Sequence, residues 1–597
     1  MRRAMYLPLT AALLLAACGG EDPAPDGAAR PAAISAAPPV AATGVADAIY
    51  VDGRGYTVDE RGSWAQSFAV RDGRFMAVGS NEEIQALAGP DTDVIVLGGR
   101  MVLPGIHDMH AHVAQAGTKE LFECGFPFTL PVPEILARVE TCVANAPPGA
   151  WLRGGQWAME LMGSDTIPHR HLLDGVAPDT PVLLLDSTVH GAWVNSRGLE
   201  VLGIDKDTPD PVGGVIVRDL ADGEPTGILI DNAAYNALYA LPAWSPQQME
   251  QALAWGIAQM NAMGVTAVKD AMVDRATLGG YAGLDRKGQL NAHVATSLPW
   301  RMAWAGPQEA LQATIDGRHK LASPNLRVDF IKIMLDGIPP SRTAAVLEPY
   351  LEDGKPFLED RGYLTQPAEQ LAEDLVQLDA AGLTVKIHAT GDRSVRVALD
   401  AFEAARKANG NSGLRHEVAH AEMISPDDLP RFKSLGVTAE MSPILWYPSP
   451  LHVAMESVLG AERAGRFWPI RTLNDTGALV IYGSDWPSVV PSPSPWPGIE
   501  AMVTRRDPYG ANEDTLGPGE ALSLVQVLRI FTRNGADAMY HTDSTGSIEP
   551  GKHADFIVID RNLFAISPEQ IGETVVLRTV FRGRTVFVRE YGPSGVP

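Results

Sequence analysis

A chain of 597 residues, 45% of them hydrophobic, exceeds what a single core usually supports, so more than one domain is expected. Its 72 acidic against 48 basic side chains leave a formal charge of −24. That surplus excludes nucleic acid as a partner, because phosphate backbones are bound by excess lysine and arginine.

At the N-terminus, Arg2 and Arg3 precede an apolar run from Leu7 to Ala17, too short to span a bilayer but suited to a signal-peptide core. Residues 1–17 are expected to be a lipoprotein-type signal peptide, because Leu15-Ala16-Ala17-Cys18-Gly19 resembles the bacterial lipobox with Cys18 as the lipidated residue. An ordinary secretory signal cleaved nearby is the alternative. A Pro- and Ala-rich tether follows over 18–45. The expectation is an exported, periplasmic protein that meets the membrane only through its lipid anchor, with Gly19 suiting the outer membrane. Cys124 and Cys142 then remain in the body of the chain, and an oxidising compartment makes them candidates for a disulfide.

From residue 46 the text turns to short strands: Ala48 to Val51, Ala65 to Arg71, Arg74 to Val78 and Asp93 to Leu97, punctuated by Asp52-Gly53 and Asp72-Gly73. The far end repeats the pattern at Ala554 to Ile559, Val575 to Phe581 and Thr585 to Val588. Neither end has enough strands to bury a core alone. Residues 46–103 and 548–592 are therefore expected to build one small sheet domain. Between them, apolar runs such as Val182 to Leu185, Thr266 to Lys269, Asp329 to Leu335, Thr384 to His388, Thr438 to Met441 and Leu479 to Tyr482 alternate with amphipathic stretches such as Pro367 to Ala381. Alternation of this kind predicts an α/β fold, a (β/α)8 barrel over 104–547. An insertion is expected at about 117–244, where proline and glycine are dense and the strand rhythm fades.

In such a barrel the chemistry gathers at the C-terminal strand ends. His110 and His112 end the first apolar run, and two residues apart on a strand they share a face. Lys332, His388, His420 and Asp485 fall at the ends of later runs. Singly, each reads as a core histidine, a snorkelling lysine or a helix cap. Four histidines, a lysine and an aspartate in this order are hard to explain as packing.

Longer motifs surround them. Leu103-Pro104-Gly105-Ile106-His107-Asp108-Met109-His110-Ala111-His112, His190-Gly191-Ala192-Trp193-Val194-Asn195-Ser196, His388-Ala389-Thr390-Gly391-Asp392-Arg393, Gly483-Ser484-Asp485-Trp486-Pro487 and the stretch from Gly546 to Asp555 together resemble the amidohydrolase superfamily. The likeness is to amidohydrolase family 3, the group of N-substituted formamide deformylase-like proteins, and it implies a (β/α)8 barrel plus a β-sandwich built from 46–103 and 548–592. It implies two divalent metal ions, zinc being the best match to imidazole and carboxylate, although manganese or iron would fit. His110, His112 and Asp485 would hold one ion and His388 and His420 the other, with Lys332 bridging as an N6-carboxylated lysine. Two departures are visible: Ala419 stands where the family often has glutamate, and Asp336 to Arg342 replaces a glycine- and serine-rich turn.

The implied activity is hydrolysis of a C–N bond in a small amide, an N-acyl or N-formyl amine. Asp485 would be the proton shuttle, with His190 as a second catalytic group or as a structural histidine in a turn. Trp151, Trp157 and Trp193 hint at an apolar or aromatic substrate. A deaminase, a lactonase or esterase on the same metals, and a non-catalytic periplasmic binding lipoprotein are the alternatives. A homo-oligomer is compatible with all of them.

Overall fold

The chain crosses from one sheet into another at Gly105, between strand Met101–Pro104 and strand Ile106–Ala111. A Cβ at Gly105 would sit 2.0 Å from Thr266 Oγ1, so only glycine lets the chain pass this near its neighbour. The structure, a computed structural model, describes residues 44–590 apart from 165, 353, 443–446 and 489. The expected signal peptide, Cys18 and the tether as far as residue 43 lie outside the described residues, as do 591 and 592.

Eight parallel strands follow in one sheet: β1 (Ile106–Ala111), β2 (Val265–Asp270), β3 (His293–Pro299), β4 (Leu326–Met334), β5 (Thr384–Ala389), β6 (Glu417–His420), β7 (Thr438–Met441) and β8 (Val480–Tyr482). They neighbour one another in sequence order, the pattern of a (β/α)8 barrel. The seam between β8 and β1 is closed just beyond the strands. There Asp485 N–H donates to the His110 carbonyl at 2.7 Å and His112 N–H to the Trp486 carbonyl at 2.8 Å. At the opposite end Met109, Ala267, Ala295, Phe330 and Ile481 pack with Ala538 and Met539.

The outer helices form for local reasons. Helix Pro246–Ala262 starts on a Ser245/Gln248 capping box, carries Pro in its first turn, and buries Met249, Leu253, Ile257 and Met260 at helical spacing.

Two sheets face each other beside the barrel. One runs in the order Arg74–Gly79, Ser67–Arg71, Ala48–Val51, Asp93–Val96. The other runs Arg584–Val588, Val576–Phe581, Phe556–Ile559, Met101–Pro104, Arg54–Tyr56, Trp64–Ala65. Tyr50, Phe68, Phe75 and Phe556 fill the space between them, with ring centroids 4.8 Å apart for Phe68 and Phe556. The large rings are what let two short sheets bury a core.

The insertion between β1 and β2 corrects one expectation. It does not lose the strand rhythm but folds as a six-stranded mixed sheet in the order Gly214–Arg218, Pro225–Asp231, Gly191–Val194, Val182–Asp186, Leu152–Trp157, Cys124–Gly125. Val182 to Leu185 therefore belongs to this sheet and not to the barrel, whereas β3 went unread. Cys124 and Cys142 are bonded here, tying the edge strand to helix Val132–Asn145, with their Cα atoms 5.9 Å apart.

Candidate metal centre

Strand ends β1, β4, β5 and β6, with the turn after β8, deliver His110, Lys332, His388, His420 and Asp485 to one place. His112 follows immediately after β1. Asp485 Oδ1 lies 3.1 Å from His112 Nε2 and 3.3 Å from His110 Nε2, so the three donor atoms converge. Lys332 Nζ lies 3.4 Å from His110 Nε2. The His420 ring is 4.7 Å from that of His110 and 4.6 Å from that of His388. His388 Nε2 is 3.1 Å from the Gly337 carbonyl.

The backbone is bent to achieve this. Asp485, His420 and Ala421 have φ of 59°, 69° and 44°, a left-handed region costing non-glycine residues roughly 1–3 kcal/mol each. Gly483 is required, because a Cβ there would meet His110 Cβ at 2.4 Å and Glu440 Oε1 at 2.7 Å.

Beneath the histidines runs a buried chain of charge that the sequence reading missed. Lys269 of β2 pairs with Glu417 of β6. Lys386 of β5 lies 3.1 Å from Glu417 and 3.0 Å from Glu440 of β7. Glu440 in turn bonds His110 Nδ1. All are essentially inaccessible to water. The signal was present as charged residues inside apolar strand runs, in Val268-Lys269, Val385-Lys386-Ile387 and Ala439-Glu440-Met441.

This chain sets protonation in the site. Burial, then the Lys332 and Lys386 ammoniums, hold His110 well below the ordinary histidine range, so its ring is neutral. Since a carboxylate only accepts, the His110 proton is on Nδ1 and the Nε2 lone pair is free for a metal. His388 and His420 are likewise held neutral, first by burial. Burial and the neighbouring Lys386 bring Lys332 down to about 8. The donor set is chemically suited to a borderline divalent cation: neutral imidazoles with unprotonated nitrogens, one carboxylate, and a lysine whose nearest partner, His110 Nε2, brings no negative charge.

His190 comes from the insertion and stands over this floor, its ring 5.3 Å from His388. Its Nδ1 bonds Asp231 Oδ1 at 2.6 Å, and Tyr363 Oη donates to Asp231 Oδ2 at 2.6 Å. Asp231 had not been singled out in the sequence; it closes strand Pro225–Asp231 with φ of 49°. The rest of the surrounding motif is structural: Asn195 caps helix Ser196–Leu202 and Trp193 is core.

Above the centre lies a cavity of about 370 Å³, walled by Tyr235, Tyr239, Trp244, Trp304, Met272 and Met455. The tryptophans expected at the substrate are elsewhere. Trp157 and Trp193 are fully buried in the insertion core, and Trp151 packs on its other face. Of the departures from the family pattern, Asp336 accepts from the N–H groups of Ala345, Thr390 and Gly391 and from Ser394 Oγ, which pins the loop after β4. Ile338 and Pro340 of that loop line the cavity.

Comparison with known proteins agrees with this geometry. The sequence profile of the amidohydrolase family matches residues 93–587. An N-substituted formamide deformylase of Arthrobacter pascens is 31% identical over 91% of this chain and 98% of its own length. A putative amidohydrolase of Bacillus subtilis is 29% identical over 90% of this chain and 99% of its own. Among solved structures, an uncharacterized metal-dependent hydrolase from Pyrococcus horikoshii superposes with a TM-score of 0.68 at 22% identity, covering 87% of this chain and 99% of that one, a likeness of fold.

Proposed function

This chain belongs to the amidohydrolase family and is a metal-dependent hydrolase of non-peptide C–N bonds, and on that premise we propose that it cleaves an N-acyl or N-formyl amine. The observation that carries the reading is the convergence of His110 Nε2, His112 Nε2 and Asp485 Oδ1 under an aromatic-walled cavity. His110, His112 and Asp485 would hold one divalent ion, zinc by ligand chemistry, and His388 and His420 a second, with Lys332 bridging once carboxylated. Bound there, such ions supply Lewis acidity and make water a nucleophile near neutral pH.

The residues of the chain do the rest. Asp485 accepts a proton from the attacking water as its oxygen joins the carbonyl carbon, and returns that proton to the nitrogen as the C–N bond breaks. The products are a carboxylic acid and an amine. Although burial opposes it, the Asp231 carboxylate that accepts from His190 Nδ1–H raises the His190 pKa above the ordinary histidine value, and the protonated ring also carries an Nε2–H that can donate to the carbonyl oxygen as charge gathers on it. The apolar walls exclude bulk water and seat the organic part of the amide.

Metal analysis of the purified protein, followed by amine release from a panel of formamides, acylamines, esters and lactones, tests the reading. Turnover of esters or lactones with none of amides would overturn it. We also propose export and lipidation at Cys18, supported by Arg2-Arg3, the short apolar run and the Leu-Ala-Ala-Cys sequence. An unmodified Cys18 inside the mature chain, seen by mass spectrometry, would contradict this.

A further inference from the structure

Lys386, in the middle of β5, is 1% exposed, and its ammonium meets three oxygens. It donates to the Met109 carbonyl at 2.6 Å and to Glu440 Oε2 at 3.0 Å, with Glu417 Oε2 at 3.1 Å. β5 and β1 are four strands apart in the eight-stranded barrel, so the side chain is a strut across the interior.

What it reaches on β1 is an irregularity. Between Asp108 and Ala111 that strand has one residue more than β2 has between Val268 and Asp270, a bulge at Met109 and His110. Successive residues of a regular strand face opposite sides. The bulge instead lets Met109 pack into the barrel floor while His110, the next residue, still turns to the site. A bulge also disturbs the ladder locally, and its backbone groups need another anchor. Lys386 supplies one at the Met109 carbonyl, and the same ammonium holds Glu440 Oε2, the oxygen that bonds His110 Nδ1. His110 is thus held twice through one lysine, by its backbone and by its ring.

We propose that Lys386 is a positioning residue of the metal centre, which clamps the β1 bulge and aims Glu440 so that His110 Nε2 points at the metal. The inference rests on the reading of His110 as a metal ligand. It runs against simple electrostatics: a buried ammonium beside a cation site is repulsive, so by charge alone its removal would tighten metal binding.

Lys386→Met fills much of the same space without donors or charge. Competition with a chelator should show zinc bound on the order of 10 to 100 times more weakly than by the wild-type protein. The cobalt(II)-loaded variant should also differ from wild type in its visible spectrum, because a ligand has moved. A merely structural role would lower the melting temperature and leave that spectrum alone. Lys386→Met/Glu440→Gln removes one charge of each sign, which keeps the test readable where the single variant does not fold. It should bind zinc about as weakly as Lys386→Met and more weakly than Glu440→Gln, which keeps the Met109 contact. Zinc bound by Lys386→Met as tightly as by wild type, or tighter, overturns the proposal, and so does an unchanged cobalt spectrum or a double variant equal to Glu440→Gln. A wild-type protein that takes up no divalent ion fails differently, since it sinks the metal-centre reading itself and this inference with it.

Discussion

Glu440 and Lys332 touch the same imidazole from opposite nitrogens, and that division makes separate predictions for each. Glu440→Gln keeps shape but offers an amide to His110 Nδ1. Metal affinity should fall by a factor on the order of 10 to 100, read by competition with a chelator. If Lys332 bridges as proposed, Lys332→Ala should lose metal and activity together, because two cations would be left without the carboxylate that held them. Full metal content and normal turnover in that variant would leave a mononuclear site of His110, His112 and Asp485 as the better account. Asp485→Asn can still offer an oxygen but cannot carry a proton, so kcat should drop by a factor on the order of 10² to 10⁴ while much of the metal stays. His110, His112, His388, His420 and Asp485 stood out because they fall at or just past the ends of apolar runs, and Lys332 because it is a charge inside one. Glu440 and Asp231 carry the same kinds of signal, a charge inside one apolar run and at the end of another, but the histidine that each bonds lies far away in the chain, and that pairing is not written in the local text.

At the level of elements, the barrel strands with long apolar text and a functional terminus were readable, and β3 was not. His293 to Pro299 mixes serine and threonine into its apolar text, and its partners lie on other strands. The insertion was misread for a related reason: its strands are short, separated by proline- and glycine-rich loops, and gain their stability from pairing across the sheet. One covalent feature holds its edge. Opening the bridge that closes the 18-residue span from Cys124 to Cys142 should lower stability by about 3 kcal/mol in the chain-entropy account. In a Cys124→Ser/Cys142→Ser protein, the loss should appear as early proteolytic cleavage within 124–145, ahead of barrel unfolding.

Across the whole molecule, the barrel and the β-sandwich meet at a group of histidines. His293 Nε2 is 2.8 Å from Asp555 Oδ2, and His541 and His553 each sit 5.5 Å from the His293 ring. Burial pushes His107 down to about 4, partly countered by the Gly105 carbonyl, while an unfolded chain titrates near the ordinary value. Between about pH 6.5 and 4 the unfolded state thus binds the extra proton, so stability falls as pH falls through that window. His107 alone accounts for roughly 1.4 kcal/mol per pH unit. Denaturant unfolding from pH 7 to 4.5 should reveal this slope, and His107→Gln should flatten it by about one proton. At the opposite pole, the hydrogen bonds from Asp485 to His110 and from His112 to Trp486 place three candidate metal ligands on the line where the cylinder is sewn shut. Whatever grips those side chains also grips the stitching. Chelation should therefore speed amide hydrogen exchange first in 106–112 and 480–486, and metal supply would double as quality control, leaving an unloaded molecule to fray at its seam before it loses its core.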